Sequence, residues 1–238
     1  MPAMGKLYLI PTPIGETASW DTALPAGNRA IIDRIDHFVV ENIRTARRFL
    51  ARSGIGRAID ELTFAELNEH TPPEEVETLL DPLLKEDKNI GVMSEAGLPC
   101  IADPGALLVA AAHRRGVEIV PLVGPSSLTL ALMASGANGQ SFAFNGYLPV
   151  KPMERVKAIR HFEHRAHTEG QSQIFIEAPY RNRKLFDDLL TACAPQTRLC
   201  VACDLLEPGQ YIRSQSIAAW KKNGAPAIDK RPAIFIIF

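Results

Sequence analysis

An α/β fold in two domains is what this sequence predicts, and three observations carry that expectation. Short apolar runs alternate with segments whose apolar residues recur at helical spacing, the pattern of parallel βαβ units in a doubly wound sheet. The rhythm then changes. Three strand candidates near the end of the chain follow one another with little helix between them, which predicts a second, mixed sheet with antiparallel members. A length of 238 residues is generous for one α/β domain and comfortable for two small ones. The expected division is 1–123 and 124–238, with a mainly parallel sheet in the first part and a cleft between the two.

The first domain opens on a strand at 6–10 (KLYLI), followed by a proline-rich loop. Residues 30–35 read as helical and 37–40 (HFVV) as the second strand. A helix over 42–53 puts Ile43, Ala46 and Leu50 on one face. A weaker strand is expected near 61–64. Thr71 is placed to cap a helix whose start is set by Pro72 and Pro73. Val76, Leu79, Leu80, Leu83 and Leu84 follow the spacing of its buried face. Pro82 interrupts that pattern and predicts a bend or a shortening. Residues 89–93 (NIGVM) form a strand, 106–115 a helix ended by Gly116, and 117–123 a strand. In the second domain, 126–135 reads as helical, 141–145 as extended, 151–167 as a polar helix, 173–177 (QIFIE) as a strand and 182–193 as a helix. The closing strand candidates are 198–204, 211–215 and 233–238.

Hydrophobic residues make up 46% of the chain and charged residues 22%, so an ordinary core forms without covalent staples. Cys100, Cys193, Cys200 and Cys203 therefore read as reduced thiols of a cytoplasmic protein. The apolar run from Leu7 to Ile10 is too short for a signal or a span, so no membrane partner is expected. A net charge of −1 gives no whole-molecule attraction to nucleic acid and leaves recognition of an anion to local patches.

Ligands of open α/β sheets sit beyond the carboxyl ends of the strands, and the unusual segments fall there. PTPIG (11–15) follows the first strand, ENIR (41–44) the second, SEAGLPCIADPG (94–105) the fourth and GPSS (124–127) the fifth. EAPYRNR (177–183) follows the first clear strand of the second domain. These polar, Gly- and Pro-rich loops are expected to converge on one crevice. Segment 94–105 is the most telling, with two glycines, two prolines and two carboxylates between a buried strand and a helix. Asp103, Pro104 and Gly105 also read as a helix start, with Asp103 at the N-cap.

LYLIPTPIG (7–15), SEAGLPCIADPG (94–105), PLVGPSS (121–127) and NGYLP (145–149) together resemble the signature of the ribosomal small-subunit RNA 2′-O-ribose methyltransferases, which belong to the tetrapyrrole methylase superfamily. The likeness covers about residues 6–190. Two motifs depart from the family pattern. Glu41-Asn42-Ile43-Arg44 stands where Glu-Asp-Thr-Arg is usual, and Glu95 and Leu98 replace the Asp and Thr of Ser-Asp-Ala-Gly-Thr-Pro. The resemblance implies a two-domain tetrapyrrole methylase-like fold with S-adenosylmethionine in the interdomain cleft. It further implies a homodimer, no metal, and 16S ribosomal RNA or the small ribosomal subunit as substrate. The cofactor contacts it implies are Pro13, Gly15, Ser94, Glu95, Ala96, Gly97, Asp103, Pro104, Ser126, Ser127 and Ala178.

Methyl transfer to a ribose hydroxyl needs alignment of the acceptor and removal of a proton. Carboxylates at strand ends are Glu41, Glu95 and Glu177. Glu41 ranks first because Arg44, one helical turn later, can orient it or bind phosphate. The competing role for Glu41 is a charge favoured by the helix dipole. Arg44, Arg48 and Arg52 line one helical face beside the expected crevice and are candidates for phosphate contact. Tyr180, beside Arg181, is a candidate for stacking on a base. His161, His164 and His167 read as a solvated helix face rather than a zinc site. Cys200 and Cys203, three apart on a strand, point to opposite faces. Three acceptor classes stay open at this level: ribosomal RNA, a small molecule such as a tetrapyrrole, and none, in a cofactor-binding protein without catalysis. Fold similarity does not choose among them.

Overall fold

The computed structural model describes residues 5–15 and 17–238. The chain divides into two compact units, Met1–Ser126 and Ser127–Phe238.

In the first unit, β1 (Leu7–Ile10), β2 (His37–Val40), β3 (Thr63–Glu66), β4 (Ile90–Met93) and β5 (Ile119–Pro121) form one sheet in the order β3-β2-β4-β1-β5. Every pairing in it is parallel, as the alternation of strands and helices predicted. The helices are α1 (Trp20–Ala23), α2 (Ala26–Ile32), α3 (Ile43–Arg52), α4 (Pro73–Val76), α5 (Asp81–Glu86) and α6 (Gly105–Arg114). Successive strand side chains point to opposite faces, and each face has its own apolar cluster. Val39 packs with Val76, Leu80, Leu83, Leu108 and Ala111 on one side. Its neighbours Phe38 and Val40 pack with Trp20, Ile32, Ala46 and Leu50 on the other. Cover on both faces is why β4 is buried throughout and reads as an unbroken apolar run.

One local expectation is borne out and two are corrected. The apolar pattern at 73–86 is broken into α4, a 3-10 turn at Glu77–Leu80, and α5, with Pro82 in the first turn of α5. Proline lacks the N–H that the interior of a continuous helix needs. Thr71 does not cap α4. Pro72 holds that position, and the Thr71 hydroxyl accepts from the Asn68 amide at 3.0 Å within the preceding turn. The second helix begins at Ala26, immediately after Pro25, rather than at 30. Asn42 does cap α3, its side-chain oxygen accepting from the Thr45 amide at 3.1 Å.

In the second unit, β6 (Phe142–Tyr147), β7 (Ser172–Ile176), β8 (Arg198–Cys203), β9 (Tyr211–Ser216) and β10 (Ala233–Ile237) run in the order β6-β7-β10-β8-β9. β6 and β7 are parallel and the other pairs antiparallel, so the sheet is mixed as expected. α7 (Ser127–Ser135), α8 (Pro152–Glu169), α9 (Asn182–Ala192) and α10 (Ile217–Asn223) complete the unit. Phe175, Phe186, Trp220 and Phe235 are central to its core, and the Trp220 indole donates to the Leu199 carbonyl at 2.8 Å. The sequence reading did not anticipate α10. It has seven residues, of which two are buried, too few to show a period.

Candidate functional site

Because the first sheet is wholly parallel, the loops after β1, β2, β4 and β5 all leave from one edge. Two of them are stitched together. Thr12 and Gly97 form an antiparallel bridge, with N···O distances of 2.9 and 3.2 Å. The Thr12 hydroxyl also donates to the Ser94 carbonyl at 3.4 Å. Gly97 has φ of +78°, where a side chain is strained. A Cβ there would stand 3.1 Å from Ile14 Cγ2 and 3.5 Å from the Pro125 carbonyl oxygen. The three segments that contain Pro13, Ser94 and Ser126 are therefore neighbours. Pro13, Gly15, Ser94 and Ser126 are half-buried there, and Glu95 and Ala96 are exposed. The buried Thr12 was missed as a site residue. Its signal was its place inside PTPIG, but a bridge partner 85 positions away is invisible locally.

Asp103 shapes the rest of the long loop. Its two carboxylate oxygens accept from the Gly105 and Cys100 amides, each at 2.7 Å. Between these anchors, Cys100 and Ala102 hold φ of +68° and +65°, which non-glycine residues adopt at a cost of about 1–2 kcal/mol. The N-cap lies one residue later than expected. Pro104 occupies the N-cap position of α6, and Asp103, expected there, reaches the Gly105 amide from one place earlier. Both Asp103 oxygens are engaged by backbone, so its part is to brace the loop. Burial is the main influence raising the Asp103 pKa, and the amides it accepts from pull it back. Burial also pushes the Cys100 thiol up to about 12, which leaves it protonated and unreactive.

Glu41 lies directly after β2. One of its oxygens accepts from the Glu95 amide at 3.0 Å, so the β4 loop, not Arg44, orients it. Burial raises its pKa above the ordinary carboxylate value. The Glu95 amide opposes that rise, and the charges of Asp103 and Glu95 add to it. Among the described residues no cation pairs with Glu41, Glu95 or Asp103. Glu41 and Asp103 line the same small pocket at the ends of β2 and β4, with Val40, Leu67, Met93 and Gly105. Arg44, Arg48 and Arg52 are exposed along α3 and make no ion pair among the described residues. Arg47, on the inner side of that helix, is paired with Asp60 and lies over the Phe64 ring.

The corresponding acid of the second unit behaves differently. Glu177, directly after β7, is held by Arg155 Nη2 at 3.3 Å, by Arg181 Nε at 2.9 Å and by the Ala178 amide at 2.9 Å. That removes it from the candidate bases and commits the Ala178 N–H. Arg155 itself is 2% exposed. Nothing in the polar pattern of 151–167 marked it as buried. Tyr180 is exposed, with the Arg181 guanidinium 5.1 Å from its ring centre. Ser127 is the first residue of α7. His167 is engaged with the Thr197 hydroxyl at 3.1 Å. Cys200 and Cys203 are both buried, and burial pushes each thiol up to about 11. Among the described residues no helix is long and apolar enough to cross a membrane.

The profile of the family described as Tetrapyrrole (Corrin/Porphyrin) Methylases matches residues 6–218. The ribosomal RNA small subunit methyltransferase I of Xylella fastidiosa (strain Temecula1 / ATCC 700964) is 31% identical over 237 residues, covering 100% of this chain and 82% of that protein. Among solved structures, the methyltransferase CobJ superposes with a TM-score of 0.63 at 16% identity, over 98% of this chain and 93% of that one. A uroporphyrin-III C-methyltransferase from Thermus thermophilus, solved with S-adenosylhomocysteine, gives a TM-score of 0.55 at 15% identity, over 98% of this chain and 97% of that one. The structural likenesses establish the fold, and the profile with the sequence relative establishes the kinship: this chain belongs to the tetrapyrrole (corrin/porphyrin) methylase family and is a methyltransferase.

Proposed function

We propose that the chain methylates a ribose 2′-hydroxyl of small-subunit ribosomal RNA with S-adenosylmethionine, as a cytoplasmic homodimer. The observation that carries the chemistry is Glu41, a half-buried carboxylate without a counter-cation among the described residues, held by the Glu95 amide beside a small pocket that it lines together with Asp103. The acceptor is taken from the relative that bears the name of a ribosomal RNA methyltransferase.

S-adenosylmethionine is a sulfonium cation, and an edge with Glu41, Glu95 and Asp103 and no paired cation among the described residues fits a positive group. Pro13, Gly15, Ser94, Glu95, Ala96, Gly97 and Ser126 would hold it, with Asp103 and Pro104 fixing the loop. The cofactor supplies an electrophilic methyl when bound. Glu41 takes the hydroxyl proton on the oxygen that the Glu95 amide leaves free, a task suited to a carboxylate whose affinity for protons is raised. Arg44, Arg48 and Arg52 bind backbone phosphates, since at i, i+4 and i+8 they form one exposed stripe.

Incubation with labelled S-adenosylmethionine against small ribosomal subunits, bulk RNA and porphyrinogens tests the acceptor. Label in RNA is expected. Label in a porphyrinogen overturns the RNA reading, and calorimetric binding of the cofactor without any turnover overturns the catalytic one. Replacing Arg44, Arg48 and Arg52 by Glu should lower the slope of log K against log salt by roughly 2 to 3 units, with cofactor affinity unchanged. Light scattering at low concentration checks the dimer, which a monomer mass would rule out.

A further inference from the structure

We propose that Tyr147, Tyr180 and Arg181 form a platform that stacks an unpaired nucleobase of the acceptor. This rests on the reading of the acceptor as RNA, and to the expected stacking on Tyr180 it adds a second ring, Tyr147, and an arginine fixed by a buried partner. β6 and β7 are parallel, so the segments that follow them leave from the same edge. Tyr147, the last residue of β6, sits across from Ile176, the last residue of β7. Between Phe144 and Tyr147 the register slips, and Gly146 takes φ of +62°. Such a bulge bends a strand and re-aims the side chain that follows. Here it leaves Tyr147 61% exposed, and Tyr180 in the neighbouring turn is 70% exposed.

Arg181 joins the two. Its guanidinium lies 5.1 Å from the Tyr180 ring centre, and its Nη1 donates to the Tyr180 oxygen at 3.2 Å. It also stands within electrostatic reach of the Tyr147 phenol. Unlike an ordinary surface arginine, it is fixed from behind by the fully buried Glu177, at 2.9 Å through Nε and 2.8 Å through Nη2. Arg155 holds Glu177 from the other side, and its Nε also donates to the Pro149 carbonyl at 2.7 Å, two residues beyond Tyr147. One buried arginine thus anchors both segments that carry the platform.

Two exposed rings and a preorganised planar cation offer π-faces and positive charge, with the nearest acid already spent. The complementary ligand is flat, aromatic and attached to anions, which describes a splayed base on its phosphodiester. Stacking on tyrosine and on guanidinium planes is how unpaired bases are held.

The test uses the full chain, an oligo-uridine 8-mer and an abasic ribose-phosphate 8-mer of equal charge. Wild type should prefer oligo-uridine by roughly tenfold or more. Tyr147→Ala and Tyr180→Ala should each remove most of that preference, Tyr147→Phe should keep it, and cofactor affinity and melting temperature should stay unchanged. No preference in wild type, or a preference intact in both alanine variants, overturns the platform. So does a shift to monomer in Tyr147→Ala by light scattering, which would make this face a contact between copies. Absence of label in RNA with wild type defeats the acceptor reading itself. Label in RNA with equal KM for wild type and both alanine variants defeats the platform alone.

Discussion

Glu41 and Glu177 occupy equivalent places in two different sheets. Each directly follows the last residue of a parallel strand, at the edge where ligands of such folds bind, and both were candidate bases by position. Their surroundings part them. Glu177 is buried between Arg155 and Arg181, with one oxygen on each side committed. Glu41 is half-buried among other acids and receives one amide. A buried carboxylate with two guanidinium partners is a structural tie. A buried carboxylate without a cation keeps its proton longer than usual and so suits proton transfer. The role of a strand-end acid is set by what is packed against it.

The largest expected break of this comparison is Glu41→Gln, which should lower the single-turnover rate at saturating cofactor by about two to four orders of magnitude. Because the ionised form acts as base and its pKa is raised, the acid limb of the rate should lie above the ordinary glutamate value of about 4.3. The sign for stability is opposite to that of a paired acid. A raised pKa stabilises the fold fully only below the unfolded-state value, and that contribution is lost as pH rises through the folded one. The Gln variant should therefore be no less stable than wild type at neutral pH. An acid limb at or below the ordinary value, or full activity of the variant, would show that Glu41 is not the base.

On the other side of the comparison, Arg155→Met strips Glu177 of one partner inside the core. Urea unfolding should show a loss of about 3–5 kcal/mol, and adding Glu177→Met should recover much of it. A loss under about 1 kcal/mol would mean that Arg181 alone satisfies the acid, and the contrast with Glu41 would fade. The smallest effect sharpens the first half. Asn42→Ala removes the cap of the helix that begins beside Glu41, and should cost about 1 kcal/mol of stability. If Glu41 is oriented by the Glu95 amide, the rate should change little. A rate loss as large as that of Glu41→Gln would mean that α3 positions the base after all.

The strands of the first sheet were legible because a parallel sheet covered on both faces writes continuous apolar runs. The half-exposed edge strand β3 was read two residues early for want of such a run. The loops of the site were legible for a related reason, since a wholly parallel sheet sends the chain out at one edge after every strand. Periodicity and turn chemistry act over a few residues, so the sequence by itself determined two α/β sheets, their strand-end loops and the arginine stripe on one helical face.

Only the tertiary structure decided which groups meet. The Glu41 acceptor finds an amide 54 residues away, and Arg155 finds Glu177 22 residues on. Asn42 and Thr45, three apart, find each other within one turn. Arg44 was the nearer partner for Glu41 by sequence, yet the assembled sheet brought the Glu95 amide to that carboxylate first. Contacts of that range exist only after β2 is laid beside β4, or α8 against the loop after β7. The partner of each carboxylate, and hence whether it ties the fold together or moves a proton, follows from that packing and not from any local pattern.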